Sequence, residues 1–151
     1  MTMPAMDSDR SSERSVDPAQ LWPGGIATAV VAALVALLGV LAFRWLFDVP
    51  ILAPASAGAY GDAQTTEYVL GAAGVALIAT GLLHLLLLTT PRPLVFFGWI
   101  IALATLVAVL FPFGTAAPLS QKFATATVNL FIGIAIGGLL TAVGARSAGF
   151  G

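Results

Sequence analysis

Four long apolar stretches separated by short polar or proline-containing segments make up most of the chain. They cover residues 24–47, 68–90, 94–113 and 123–144. Each is close to the roughly 20 residues that a helix needs to cross a hydrocarbon core about 30 Å thick. None shows the period-two alternation of a membrane β-barrel strand. The pattern therefore predicts four transmembrane helices within a domain covering residues 21–147.

The connections between these stretches predict how the helices are arranged. "TTPRP" (residues 89–93) separates the second stretch from the third, and "LFPFG" (110–114) ends the third. Connections this short make consecutive helices antiparallel neighbours. The predicted fold class is all-α, a four-helix transmembrane bundle with up-down-up-down topology.

Composition supports the membrane assignment and excludes nucleic acid as a partner. Hydrophobic residues make up 59% of the chain and charged residues 9%, and the net charge is −1. A soluble domain has about 25% charged residues, and a nucleic-acid-binding domain has a basic excess. We expect a multi-pass protein of the plasma membrane (the bacterial inner membrane) with the lipid bilayer as its main partner.

The basic residues near the ends of the stretches predict the orientation, because Lys and Arg favour the cytoplasmic side. With the N-terminus inside, four basic residues are cytoplasmic and two are external. We therefore expect N-in and C-in topology. The inside set is Arg10, Arg14, Arg92 and Arg146, and the outside set is Arg44 and Lys122.

Residues 1–20 differ from the rest of the chain. "DSDRSSERSVDPAQ" (7–20) mixes charges of both signs without apolar periodicity, which predicts a disordered cytoplasmic tail. A cleaved signal peptide has an apolar region of about 7–15 residues. The first apolar stretch is longer, which favours a retained helix.

The order of short motifs resembles a known family. "FDVPILAP" (47–54), "TPRP" (90–93) and "LFPF" (110–113) follow the first, second and third helices, and a fourth helix rich in small residues comes last. Over residues 22–146 this is similar to an actinobacterial family of small four-helix membrane proteins known only as a domain of unknown function. Relatives often have a histidine early in the fourth helix, where "TVNLF" (127–131) has Asn129. The resemblance implies the fold but no activity or cofactor.

Small residues on two of the predicted helices are candidates for helix packing. In a bilayer, helices associate through close backbone approach at small residues. The fourth helix has Gly133 and Gly137 in a GxxxG pattern, and the first helix has a parallel row that is a candidate counterpart. Contacts within the chain and a homo-oligomer interface both remain open. The candidates are Gly133, Gly137, Thr141, Gly25, Ala29 and Ala33.

Asn129 and Thr105 are polar residues at similar depth in the fourth and third helices. An amide can make up to four hydrogen bonds, and unmade bonds are costly in hydrocarbon. We expect these two side chains to be partners across the bundle.

His84, within "GLLHLLLL" (81–88), is the chain's single histidine. At 100° per residue it shares a small and polar helix face with Thr80, which is expected to point into the bundle. Its depth is about 9 Å from the inner helix end. We expect a buried, uncharged ring that bonds Trp99, Thr141 or a backbone carbonyl.

An intramembrane ionisable residue suggests function by default, but the chemistry that His84 would need is missing. Zinc needs about four ligands, and a proton relay needs a chain of Asp, Glu or His. We therefore expect no enzyme, no metal and no cofactor. The predicted function is a non-catalytic integral membrane protein, either a structural or accessory subunit or a self-associating bundle. The alternative is a small oligomeric transporter or channel with a path lined by His84, Thr80 and Asn129.

Overall fold

The computed structural model describes residues 18–49, 51 and 65–148. The predictions for the tail fall almost entirely outside these residues, as does most of the first connection. The described residues form four helices: α1 (Pro18–Leu46), α2 (Thr65–Thr89), α3 (Pro93–Leu110) and α4 (Leu119–Ser147). All four are long and apolar enough to cross a membrane. The predicted all-α fold class is confirmed.

A proline lies at or next to the first described residue of three of these helices. α1 and α3 start at Pro18 and Pro93, and α4 follows Pro118. Proline suits the start of a helix because its fixed φ is already helical and its missing N–H would have no partner there. α1 and α4 both begin before the predicted residues 24 and 123.

α1 lies between α2 and α4, whereas α3 packs mainly on α4 and has no contact with α1 among the described residues. Gly24 near the start of α1 faces Val143 near the end of α4, and Gly39 faces Val128 nearer the start of α4. These two helices are therefore antiparallel. The small residues Ala32 and Ala36 are fully buried, as expected where backbones approach closely.

The bundle has a terminal end and a loop end. The terminal end holds the start of α1, the end of α4 and the α2–α3 turn. The loop end holds the α3–α4 connection, the end of α1 and the start of α2. At the loop end Asp48 has a positive φ of 53°, and the Val49 N–H bonds the Phe43 carbonyl at 3.0 Å. This bond satisfies one carbonyl at the end of α1.

α3 is the least buried helix. In its most apolar window 6% of the residues are buried within the chain, compared with 28% in each of the other three. Its exposed side chains include Phe96, Leu103 and Val107. The described part of the chain does not cover these side chains, so α3 lies at the edge of a more compact group formed by α1, α2 and α4.

The orientation of this bundle gives the first prediction. The chain has no cysteine, so single-cysteine variants can be labelled without background. Thr89 at the terminal end and Ala116 at the loop end are both exposed. With N-in topology, a membrane-impermeant maleimide applied to intact cells should label Ala116→Cys and spare Thr89→Cys. Both should react after the membrane is permeabilised. The opposite pattern in intact cells would reverse the orientation.

Candidate functional site

Asn129 joins three helices at the loop end. Its Oδ1 accepts a hydrogen bond from the Tyr68 hydroxyl of α2. Its Nδ2 donates to the Ala108 carbonyl of α3 at 2.7 Å. Asn129 itself lies on α4, so a single side chain connects α2, α3 and α4. These three residues are called the Asn129 junction below.

Pro112 explains why Ala108 needs this partner. In an α-helix the carbonyl of residue 108 would accept from the N–H of residue 112, and proline has no N–H. The chain accordingly leaves the α-helix at this point and forms a 3-10 turn, Phe111–Gly114. Asn129 supplies the missing donor from α4, so the proline that ends α3 also creates the binding site for the amide.

The prediction that Asn129 pairs with Thr105 is wrong. Asn129 does bond α3, the helix that carries Thr105, but its partner there is the Ala108 carbonyl. Asn129 bonds the backbone of α3 one turn nearer the loop end than Thr105. The Thr105 side chain instead contacts Gly133, and a Cβ at Gly133 would overlap it. The Pro112 motif in "LFPFG" carried the signal for the actual partner, because a proline at residue 112 cannot donate to the Ala108 carbonyl.

A cleft of about 320 Å³ lies between α2 and α3, with α4 as its floor. It runs from the loop end to the middle of the bundle. The Asn129 junction and Glu67 form its polar end, and the remaining lining is almost entirely apolar. Its volume is within the range of about 300–1,000 Å³ typical of small-ligand sites.

Small residues on the two walls create the cleft. Gly71 and Ala72 line the α2 wall, and Ala104 and Ala108 line the α3 wall. A Cβ placed at Gly71 would have no atom within 4 Å, so the wall is open there. Gly71, Val75 and Ala104 are exposed. The cleft therefore opens sideways between α2 and α3, toward the surrounding lipid.

The predicted surroundings of His84 are wrong. Its ring lies against Trp22 of α1, with ring centroids 6.5 Å apart and planes inclined by 52°. Its Nδ1 is buried without a hydrogen-bond partner among the described residues. Trp99 is 65% exposed, so it is not the buried partner that the sequence predicted for His84. The Thr141 hydroxyl donates to the Gly137 carbonyl of its own helix at 2.7 Å.

Thr80 is fully buried, and its hydroxyl donates to the Ala76 carbonyl at 2.8 Å. Its side chain contacts Gly25 of α1, where a Cβ would overlap it. Thr80 and His84 are absent from the lining of the cleft. The structure thus separates the predicted polar residues into two groups, with Asn129 and Thr105 at the cleft and Thr80 and His84 at the α1–α2 contact.

Gly133 and Gly137 both lie against α3 of the same chain. Gly133 faces Thr105, and a Cβ at Gly137 would lie 3.0 Å from Ile101. The proposed counterpart on α1 is wrong, because Gly25 faces α2 while the two α4 glycines face α3. Ala29 is 6% exposed, and Ala33 is half-buried.

Among the described residues no group of three or more His, Cys, Asp or Glu side chains is placed to hold a metal ion. The cleft offers its shape and its hydrogen-bonding groups. It can hold an apolar molecule against the small-residue walls and offer hydrogen bonds at one end.

The chain belongs to the family of unknown function DUF6069, whose family model matches residues 16–146. This confirms the resemblance to a family of unknown function, and the match begins slightly before the expected residue 22. The actinobacterial origin stays a prediction. Comparison with curated proteins and with solved structures finds no match to either.

The α3–α4 contact predicts that Gly133→Leu destabilises the protein. The larger side chain must displace Thr105, and overpacking of this kind costs about 1–3 kcal/mol. Gly138→Leu is the matched control, because a Cβ at Gly138 of the same helix has no atom within 4 Å. Thermal unfolding in detergent should show a lower Tm for Gly133→Leu alone. Equal Tm values would contradict the assigned contact.

The Asn129 junction predicts an interaction between positions 129 and 112. Asn129→Leu leaves the Ala108 carbonyl without a donor, a loss of about 1–3 kcal/mol for a buried group. In a Pro112→Ala background the new N–H at residue 112 can bond this carbonyl, so Asn129→Leu should then cost less. The remaining cost is the unpaired Tyr68 hydroxyl.

A double-mutant cycle of unfolding free energies measures this interaction. It also subtracts any effect that Pro112→Ala has by itself on the turn. The same cost for Asn129→Leu in both backgrounds would mean that the Ala108 carbonyl does not depend on the amide.

Proposed function

We propose that this chain is a non-catalytic integral membrane protein that acts by binding another membrane component in its lateral cleft. The observation that carries the proposal is the cleft itself. It combines small-residue walls open to lipid with a polar end formed by the Asn129 junction. By binding such a component, the protein acts as an accessory or structural subunit in the plasma membrane.

The alternative, a transporter or channel, needs polar groups that line one continuous path. Thr80 is fully buried, and its hydroxyl is bonded within its own helix. His84 Nδ1 is buried against α1. Asn129 faces a separate cleft that ends near mid-bundle. This distribution favours binding over conduction.

Photo-crosslinking in cells tests the proposal. A benzophenone amino acid at Val75 lies at the edge of the cleft, and the same residue at Ile134 lies on α4 outside it. Both side chains are exposed, at 55% and 60%. Irradiation should give a discrete adduct at position 75, in yield several-fold above position 134, because a bound component stays within reach.

Two results would overturn the proposal. One is that both positions give heterogeneous adducts in equal yield, which would mean that residue 75 contacts only bulk lipid. The other is an increase in ion or proton flux in liposomes containing the purified protein that Thr80→Val abolishes. That flux would support the transport alternative.

A further inference from the structure

We propose that the cleft binds a single-chain amphiphile whose headgroup is uncharged and carries a hydroxyl or amide. The hydrocarbon chain lies between α2 and α3, and the headgroup bonds the Asn129 junction. This inference rests on the proposed function, because it names the class of component that the cleft holds.

The apolar part of the cleft fits a hydrocarbon chain better than a partner helix. Its walls extend from Tyr68 to Val75 on α2 and from Ile101 to Ala108 on α3, a length of about 10 Å along each helix. A helix is about 10–12 Å across with its side chains, so its entry would separate α2 from α3. These two helices contact each other as well as α4. A chain entering sideways from the bilayer leaves these contacts intact.

The Asn129 amide at the polar end has a donor and an acceptor position that no described residue uses. The Asn129 amide offers two donor hydrogens and two acceptor positions. One donor is used by the Ala108 carbonyl and one acceptor position by the Tyr68 hydroxyl. Among the described residues, one donor and one acceptor position of this cleft-lining side chain have no partner. A hydroxyl or an amide can use both, because each of these groups donates and accepts.

The charges at the polar end argue against an anionic headgroup. Glu67 is the charged residue of the cleft lining, and the described lining includes no Lys or Arg. A phosphate or carboxylate in this position would lie near the Glu67 carboxylate, and no cation of the described lining would compensate the repulsion between the two charges. The uncharged headgroup follows from this arrangement.

The test uses two photoactivatable probes with the same diazirine-bearing chain, a monoacylglycerol and the corresponding fatty acid. The purified full-length protein in nanodiscs should be labelled more strongly by the monoacylglycerol. We expect a preference of about three- to ten-fold, as for one or two net hydrogen bonds. Labelling should be competed by the unlabelled monoacylglycerol and should map to α2 and α3 residues that line the cleft.

Four variants locate the binding. Gly71→Leu fills the cleft without a clash, since nothing lies within 4 Å of its Cβ position, and should reduce labelling by both probes at least five-fold. Gly138→Leu makes the same change where space is also open, outside the cleft, and should not alter labelling. Asn129→Leu should keep chain binding and remove the preference between the two probes. Ala104→Leu, on the opposite wall, repeats the blocking test independently.

The contrary outcomes separate this inference from the proposed function. Stronger labelling by the fatty acid would overturn the uncharged headgroup while the cleft still binds a chain. Labelling that is not competed, or that Gly71→Leu and Gly138→Leu affect equally, would overturn the amphiphile. If the residue at position 75 still forms its discrete adduct in that case, the proposed function stands with a different occupant.

Discussion

The structure depends on one requirement of the hydrocarbon environment, that each backbone carbonyl has a hydrogen-bond partner. Pro112 removes the donor that an α-helix would provide to Ala108, and Asn129 of α4 replaces it at 2.7 Å. The amide then has an oxygen left to pair, and the Tyr68 hydroxyl of α2 bonds it. A proline that ends one helix thus determines where three helices meet.

Two kinds of helix contact meet around this junction, and their difference explains the cleft. Glycine at residues 133 and 137 lets α3 approach α4 closely, with Thr105 and Ile101 in the contact. α2 reaches α4 at the same depth through the long side chain of Tyr68. α3 therefore packs closely on α4. The small residues on the facing sides of α2 and α3 leave the space between these two helices unfilled. The close packing of α3 on α4 and the longer connection from α2 to α4 through Tyr68 together leave an open groove between α2 and α3.

The helices and the glycine contact of α4 followed from the sequence because they depend on length, composition and local spacing. The neighbour of each side chain depends on which helices pack together and how each is rotated, which those patterns do not determine. Trp22 and Trp99 both lie toward the terminal end, so depth alone gave no reason to pair His84 with one rather than the other. The packing of α1 on α2 brings Trp22 to the ring and leaves Trp99 65% exposed. The sequence patterns did not predict the cleft for the same reason. It exists only where one particular face of α2 lies opposite one particular face of α3.

The positions of the polar residues also bear on what a bundle of this size can do. Hydroxyls that bond carbonyls of their own helix, as Thr28, Thr80 and Thr141 do at 2.7–2.8 Å, are satisfied without a partner helix and offer little to a passing solute. Asn129 differs because its bonds cross to two other helices and leave part of the amide unused beside the cleft. An amide that lines an apolar cleft and is only partly paired among the described residues is costly unless something in the membrane bonds it. The groove and the amide therefore favour the same role, which is to hold a molecule already present in the bilayer.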